Sequence, residues 1–181
     1  EAAFATLEQF PGVPGADGNL VATYSERLQM GYRWYDANDV EPRFGFGHGM
    51  SYTTFEFSDL VVTPEVSDGT KPVRVSFFIE NTGDRSGAEV GQVYVGIPAA
   101  GQPPQRLVGF DKVELDPGEK QHVSVVIDPS AASHPLSVWN TEADAWSTVD
   151  GEYQIHVGNS SDTITLTDSI TVRTPAGYDH R

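Results

Sequence analysis

Three carboxylates and three aromatic rings fall within the ten residues "YRWYDANDVE": Asp36, Asp39 and Glu41 lie beside Tyr32, Trp34 and Tyr35, with Arg33 among them. Aromatic faces stack on sugar rings and carboxylates accept hydrogen bonds from hydroxyls, so this composition can line a carbohydrate site. Arg33, Trp34 and Asp36 are the candidates for contact with a substrate at the rim of such a site. The preferred reading is plainer, a turn whose acids are solvated or paired with Arg33 and Arg43.

A second stretch with chemical character follows in "FGFGHGMSY", residues 44 to 52. It reads as a glycine-rich ligand loop, as a catalytic or metal-binding histidine, or as a connector. A phosphate loop needs a Lys-Ser/Thr pair and a following helix N-terminus, and neither is present. His48 has no partners at metal-ligand spacing, because His122, His134, His156 and His180 fall in separate strands or loops. The connector reading is therefore preferred. In it the glycines let the chain bend, His48 hydrogen-bonds backbone, and Phe44, Phe46 and Tyr52 are buried with Tyr32 and Tyr35 at a domain junction. No metal ligands and no cofactor are expected.

The elements that must hold these residues change character near Phe57. Residues 1–57 read as an irregular arm in which "FPGVPGADGN" is turn punctuation. Within it "YSERLQMGY" is predicted to form a turn or two of helix, with Ser25 as N-cap. Eleven of the nineteen aromatic residues lie here, from Phe4 and Phe10 to Phe55 and Phe57. So much aromatic area on so little regular structure requires a surface to bury against.

From Ser58 the pattern is that of strands. "KPVRVSFFIEN" places Val73, Val75, Phe77 and Ile79 on one face, and "AEVGQVYVGIP" repeats the alternation with Val93, Val95 and Ile97. "NTGD", "DPGE" and "GNSSD" supply hairpin turns rather than calcium loops. About seven strands in roughly 115 residues predict a mainly β chain, a fibronectin type III or immunoglobulin-like sandwich over residues 58–181. Trp139 and Trp146, flanking "NTEADA", are expected to pack in the core or at an edge; a sugar-binding platform is the alternative.

Composition narrows the partners. The chain has 181 residues and no cysteine, and 26 acidic against 11 basic residues give a net charge of −15. Nucleic acid and anionic membrane surfaces are repelled at long range, whereas neutral sugars are not. No apolar run is long enough to span a membrane and no signal-peptide pattern opens the chain, so secreted and cytoplasmic locations both stay open. The start "EAAF", without Met, suggests a processed or excised piece, and a deliberately chosen starting residue explains it equally well.

Taken in order, "YSERLQMGYRWYD", "EPRFGFGHGMSYTTFEFSDL", "ENTGDRSGAEVGQVYV", "RLVGFDKVELDPGE" and "VDGEYQIHVGNSSD" resemble the C-terminal part of glycoside hydrolase family 3 enzymes, which include many β-glucosidases and β-xylosidases. Arg27 stands where the family commonly has glycine. The resemblance implies that residues 1–57 are the end of an α/β sandwich domain plus its linker, and residues 58–181 a fibronectin type III-like domain. It also implies that the family's aspartate nucleophile and glutamate acid/base precede residue 1, so the chain would be inactive alone. Its expected partners are the preceding catalytic domains of the same enzyme, in one chain or a complementary one, carbohydrate, and a second copy of itself. The alternative function is a free-standing carbohydrate-binding or spacer module.

Overall fold

The structure, a computed structural model, describes residues 6–175. Phe4 and His180 lie outside the described residues. The elements run β1 (Val13–Pro14), β2 (Leu20–Val21), α1 (Tyr32–Asn38), β3 (Phe55–Thr63), β4 (Val66–Ser67), β5 (Val73–Asn81) and β6 (Gly87–Gly96). There follow β7 (Arg106–Leu115), β8 (Lys120–Ile127), β9 (Val138–Asn140), β10 (Ala145–Ser147), β11 (Gly151–Gly158) and β12 (Ile164–Val172).

A five-stranded sheet of order β4-β12-β11-β6-β7 faces a three-stranded sheet of order β3-β5-β8. Strand β4 pairs parallel to β12, whereas the other pairings within these two sheets are antiparallel. Alternation explains the core. In β5, Val73, Val75, Phe77 and Ile79 are buried, as expected of a strand with one face inward. They meet Val93 and Val95 of β6, Tyr153, Ile155 and Val157 of β11, Ile170 and Val172 of β12, and Val123, Val125 and Ile127 of β8. Gly91 belongs to this interior for a steric reason, since a Cβ there would meet the Phe77 ring at 2.7 Å.

Two of the predicted hairpin turns have a different role. "GNSSD" does join the antiparallel pair β11 and β12. "NTGD" leads from β5 to β6 and "DPGE" from β7 to β8, and in both cases the two strands lie in opposite sheets. Local turn chemistry reverses the chain without selecting the sheet it joins next. Buried Asn81 secures the first of these corners. Its Nδ2 donates to the Arg85 and Leu115 carbonyls at 2.7 and 2.9 Å, and its Oδ1 accepts from the Thr53 hydroxyl at 2.6 Å.

The helix also falls elsewhere than predicted. Residues 25–28 form turns, Ser25 caps nothing helical, and the regular helix is Tyr32–Asn38, within the segment whose preferred reading was a turn. Arg27 has φ of 54°, outside the helical region, and so interrupts the expected helix. The same angle explains why this position suits glycine: the backbone keeps a left-handed geometry even though an arginine occupies it. Asp39 ends α1 in that same geometry, its N–H bonding back to the Tyr35 carbonyl.

Phe77 faces both sheets, whereas Val126 is exposed on β8. Phe77→Ala is expected to lower unfolding free energy by about 3–5 kcal/mol and Val126→Ala by no more than about 0.5 kcal/mol, read from urea midpoints. Equal effects would mean that the interior is not centred on β5.

Candidate functional site

Strand β6 is buried on both faces from Gly91 to Gly96, although its sequence alternates only for the inner one. Its outer residues Gln92 and Tyr94 are covered by the arm. Helix α1 crosses this surface: the Tyr32 ring meets Tyr94 edge-on at 5.9 Å, and its hydroxyl accepts the Leu107 N–H at 2.8 Å. One helical turn on, Asp36 accepts a 3.1 Å bond from Gln105 Nε2, whose amide also donates to the Ser161 carbonyl at 2.7 Å. Beneath them Tyr94 donates to Gln92 Oε1 at 2.6 Å, and Gln92 donates to the Asn159 carbonyl.

The segment 44–48 continues along the same seam. Phe46 N–H donates to Ser161 Oγ at 3.1 Å, and Ser161 N–H returns a 2.8 Å bond to the Phe46 carbonyl. Gly45 and Gly47 face inward, where a Cβ would collide with the Asp162 carboxylate and the Gln92 amide respectively, and Gly47 has φ of 87°. Close approach to the sheet, more than bending, is what these glycines permit. Phe44 is 68% exposed and Tyr52 91% exposed, so neither is covered by the described residues of this chain. Phe46 is half exposed and stacks on Tyr32 at 5.1 Å. The His48 ring is exposed and leans on Phe44 at 5.2 Å, and the residue's backbone N–H, not its imidazole, bonds the Gly45 carbonyl.

The three candidates for the rim do not converge. Arg33 lines a groove with Arg106, Phe110 and Trp146; Trp34 lines a second with Phe10, Tyr24 and Met30; Asp36 lines a third with Tyr35, Arg43 and Phe44. Successive positions on a helix diverge by about 100°, so neighbours in sequence serve different surfaces. Trp34 and Tyr35 meet edge-on at 5.6 Å. Among the described residues the ion pairs are Lys71–Asp68 and Lys120–Asp59, and neither involves the arm's acids. No group of three or more metal-ligating side chains occurs among the described residues.

Electrostatics at the seam follow from burial. Desolvation raises the Asp36 carboxyl, Gln105 opposes this through its hydrogen bond, and the Asp162 charge adds to the rise while His156 lowers it. Burial also lowers the His156 imidazole. Asp162, which accepts a 2.6 Å bond from Ser160, is held below the usual carboxylate range chiefly by that bond. Beyond the seam, Trp146 and Trp139 form a cross-strand pair at 5.6 Å on the β9–β10 hairpin, and His134 stacks on Trp146 at 4.3 Å. Trp139 is 48% exposed, so the pair is an edge cluster. Gln92, Tyr94 and Gln105 are the seam residues that sequence reasoning missed; Tyr94 and Gln92 on the polar side of an otherwise alternating strand were the available signal.

The two facing sheets, their connections crossing from one to the other, define a fibronectin type III-like domain, and residues 89–161 match the model of that domain family. The chain is 38% identical over 161 residues to the thermostable β-glucosidase B of Acetivibrio thermocellus, covering 88% of this chain and 20% of that protein. To β-glucosidase cel3A of Pyricularia oryzae it is 40% identical, covering 82% and 20%. Among solved structures, β-glucosidase 3B of Thermotoga neapolitana, in complex with α-D-glucose, superposes with a TM-score of 0.78 at 40% identity, over 91% of this chain and 22% of that one. DesR, a β-glucosidase from Streptomyces venezuelae, gives 0.81 at 35% identity over 93% and 20%. The chain belongs to glycoside hydrolase family 3 and corresponds to the C-terminal, noncatalytic part of its β-glucosidases. It spans about one fifth of the length of the curated relatives it matches.

Because burial raises the Asp36 carboxyl, its ionisation opposes the folded state. The folded chain then binds more protons than the unfolded chain, and this contribution to stability is lost as pH rises through the folded-state pKa. Asp36→Asn is expected to gain in melting temperature relative to the wild type as pH climbs from about 3 to about 7. A difference that stays constant over that range would mean that Asp36 does not titrate with folding.

Proposed function

We propose that this chain is the scaffold of a β-glucosidase, docking onto and bracing preceding catalytic domains that cleave terminal β-linked sugars by a retaining mechanism. The observation that carries the reading is where the large apolar side chains are left uncovered. Of the seventeen exposed ones among the described residues, twelve lie between Leu7 and Tyr52, including Phe10, Tyr24, Met30, Phe44 and Met50. An arm docked on the sandwich by one side and apolar on the other has the character of an interface. The likeness to much longer β-glucosidases supplies the partner: the rest of such an enzyme.

In this reading residues 1–57 are the end of an α/β domain with its linker, and residues 58–181 form the fibronectin type III-like domain. Tyr32, Tyr35, Phe44, Phe46, His48 and Tyr52 stand at the junction. Tyr32 holds the sandwich side, and Phe44 and Tyr52 face the catalytic domains. Arg33, Trp34 and Asp36 are assigned to the substrate rim of the assembled enzyme, with Asp36 anchored by Gln105. Retaining hydrolysis needs two carboxylates about 5–5.5 Å apart. Those groups come from the catalytic domains.

Hydrolysis of an aryl β-glucoside is expected only when the chain is joined to, or mixed with, the catalytic domains. Phe44→Asp with Tyr52→Asp is expected to weaken that complementation at least about tenfold while leaving the melting temperature of the isolated chain unchanged. Hydrolysis by the chain alone would overturn the reading. Retention of polysaccharide by the chain, lost in Trp139→Ala, would favour the binding-module alternative.

A further inference from the structure

The groove holding Arg33 has a chemistry that the scaffold role leaves unused. It measures about 430 Å³ and runs between the arm and the start of β7, walled by Leu28, Phe110 and Trp146, with Arg33, Arg106 and Ser133 as polar groups. Its size and its balance of apolar wall and few polar groups are those of small-ligand sites, about 300–1,000 Å³. No acidic side chain lines it.

Arg106 is the anomaly. Its Nη2 donates to the carbonyls of His134, Pro135 and Ser137 at 2.9, 2.6 and 2.9 Å, which fixes the guanidinium plane. Its Nε is buried without a hydrogen-bond partner. The groups acting on its charge are burial, Arg33, Tyr153 and Tyr32, none of them a carboxylate, and burial with the Arg33 repulsion lowers its pKa to about 10. In a chain with 26 acidic residues and a net charge of −15, two arginines thus share a groove without a counter-charge. A buried cation held only by neutral carbonyls gains from an incoming anion more than an exposed one does.

From this we infer that the Arg33–Arg106 groove is a binding site for a single carboxylate carried on a ring or other apolar body. The Arg33 guanidinium supplies the fork that matches a planar carboxylate, Arg106, its Nη2 already engaged, adds positive charge behind it, and the apolar walls accept what is attached to the carboxylate. A polyanion is disfavoured twice: the overall negative charge repels it at long range, and the apolar walls leave its further charges unpaired. The carboxylate has two sources, a free small molecule or an Asp or Glu side chain of the catalytic domains proposed above.

The test is a ¹⁹F NMR titration of 4-fluorobenzoate into the 181-residue chain, with uncharged 4-fluorobenzamide as control. Saturable binding of the acid is expected, at least about tenfold tighter than the amide. Arg33→Gln is expected to remove most of that preference with the circular dichroism spectrum unchanged, and Arg106→Lys, which retains the charge, to keep part of it. Equal affinity for acid and amide, or no saturation by the acid on a folded chain, overturns the inference. Adding the catalytic domains as a separate polypeptide distinguishes the sources. Displacement of bound 4-fluorobenzoate on complex formation places the carboxylate on that polypeptide, and retention assigns the groove to a free ligand; both uphold the site. Failure of the complex to form counts against the docking role alone.

Discussion

Burial of strand β6 on both faces is the constraint on which the rest of the molecule depends. Its inner residues Val93 and Val95 close the space between the sheets, and its outer residues Gln92 and Tyr94 form the floor on which the arm lies. Central strands of a two-sheet sandwich ordinarily turn their second face to water. Here that face carries polar groups that are satisfied within the sandwich itself. The Tyr94 hydroxyl and the Gln92 amide bond each other and the Asn159 carbonyl, so the floor presents few free donors to a covering chain. The arm then completes the seam through Tyr32, Asp36 and the Phe46 backbone.

That arrangement links fold to function through the arm's two sides. The helix turns Tyr32 and Asp36 to the sandwich, and the segment after it turns Gly45 and Gly47 inward while Phe44 and Tyr52 face out. Close contact with the sheet requires the glycines, and Phe46 between them stays on the sandwich side, stacked on Tyr32. An element built this way transmits position from a rigid sandwich to whatever covers its outer side. The few polar bonds at the seam involve buried or half-buried partners, where geometry counts for more than at an exposed surface.

The groove beside Arg106 follows the same logic in miniature. Three carbonyls from the segment 134–137 orient the guanidinium, and Arg33 from the arm adds a second positive charge. Neither the sandwich nor the arm contains the groove by itself; it exists because one is laid on the other. Placing like charges together, away from the chain's many carboxylates, is costly unless something offsets it.

What the sequence by itself determined was the part governed by short-range periodicity. Alternation in β5, and the inner face of β6, identified the core strands, because a half-buried strand must repeat with period two, and the ordered motifs carried the resemblance to the family. The purpose of "FGFGHGMSY" was legible only in part: its glycines were recognised, but the sheet surface that requires them was invisible, since Gln92 and Asp162 lie far along the chain. The helix at Tyr32–Asn38 was missed because seven residues carry little periodic signal, and its amphipathic character exists only relative to Tyr94 and Gln105. Likewise Arg33, Trp34 and Asp36 are adjacent in sequence and face three different grooves. Only tertiary structure decided which surface each side chain meets, because that depends on long-range packing of one element on another and not on the order of residues within either.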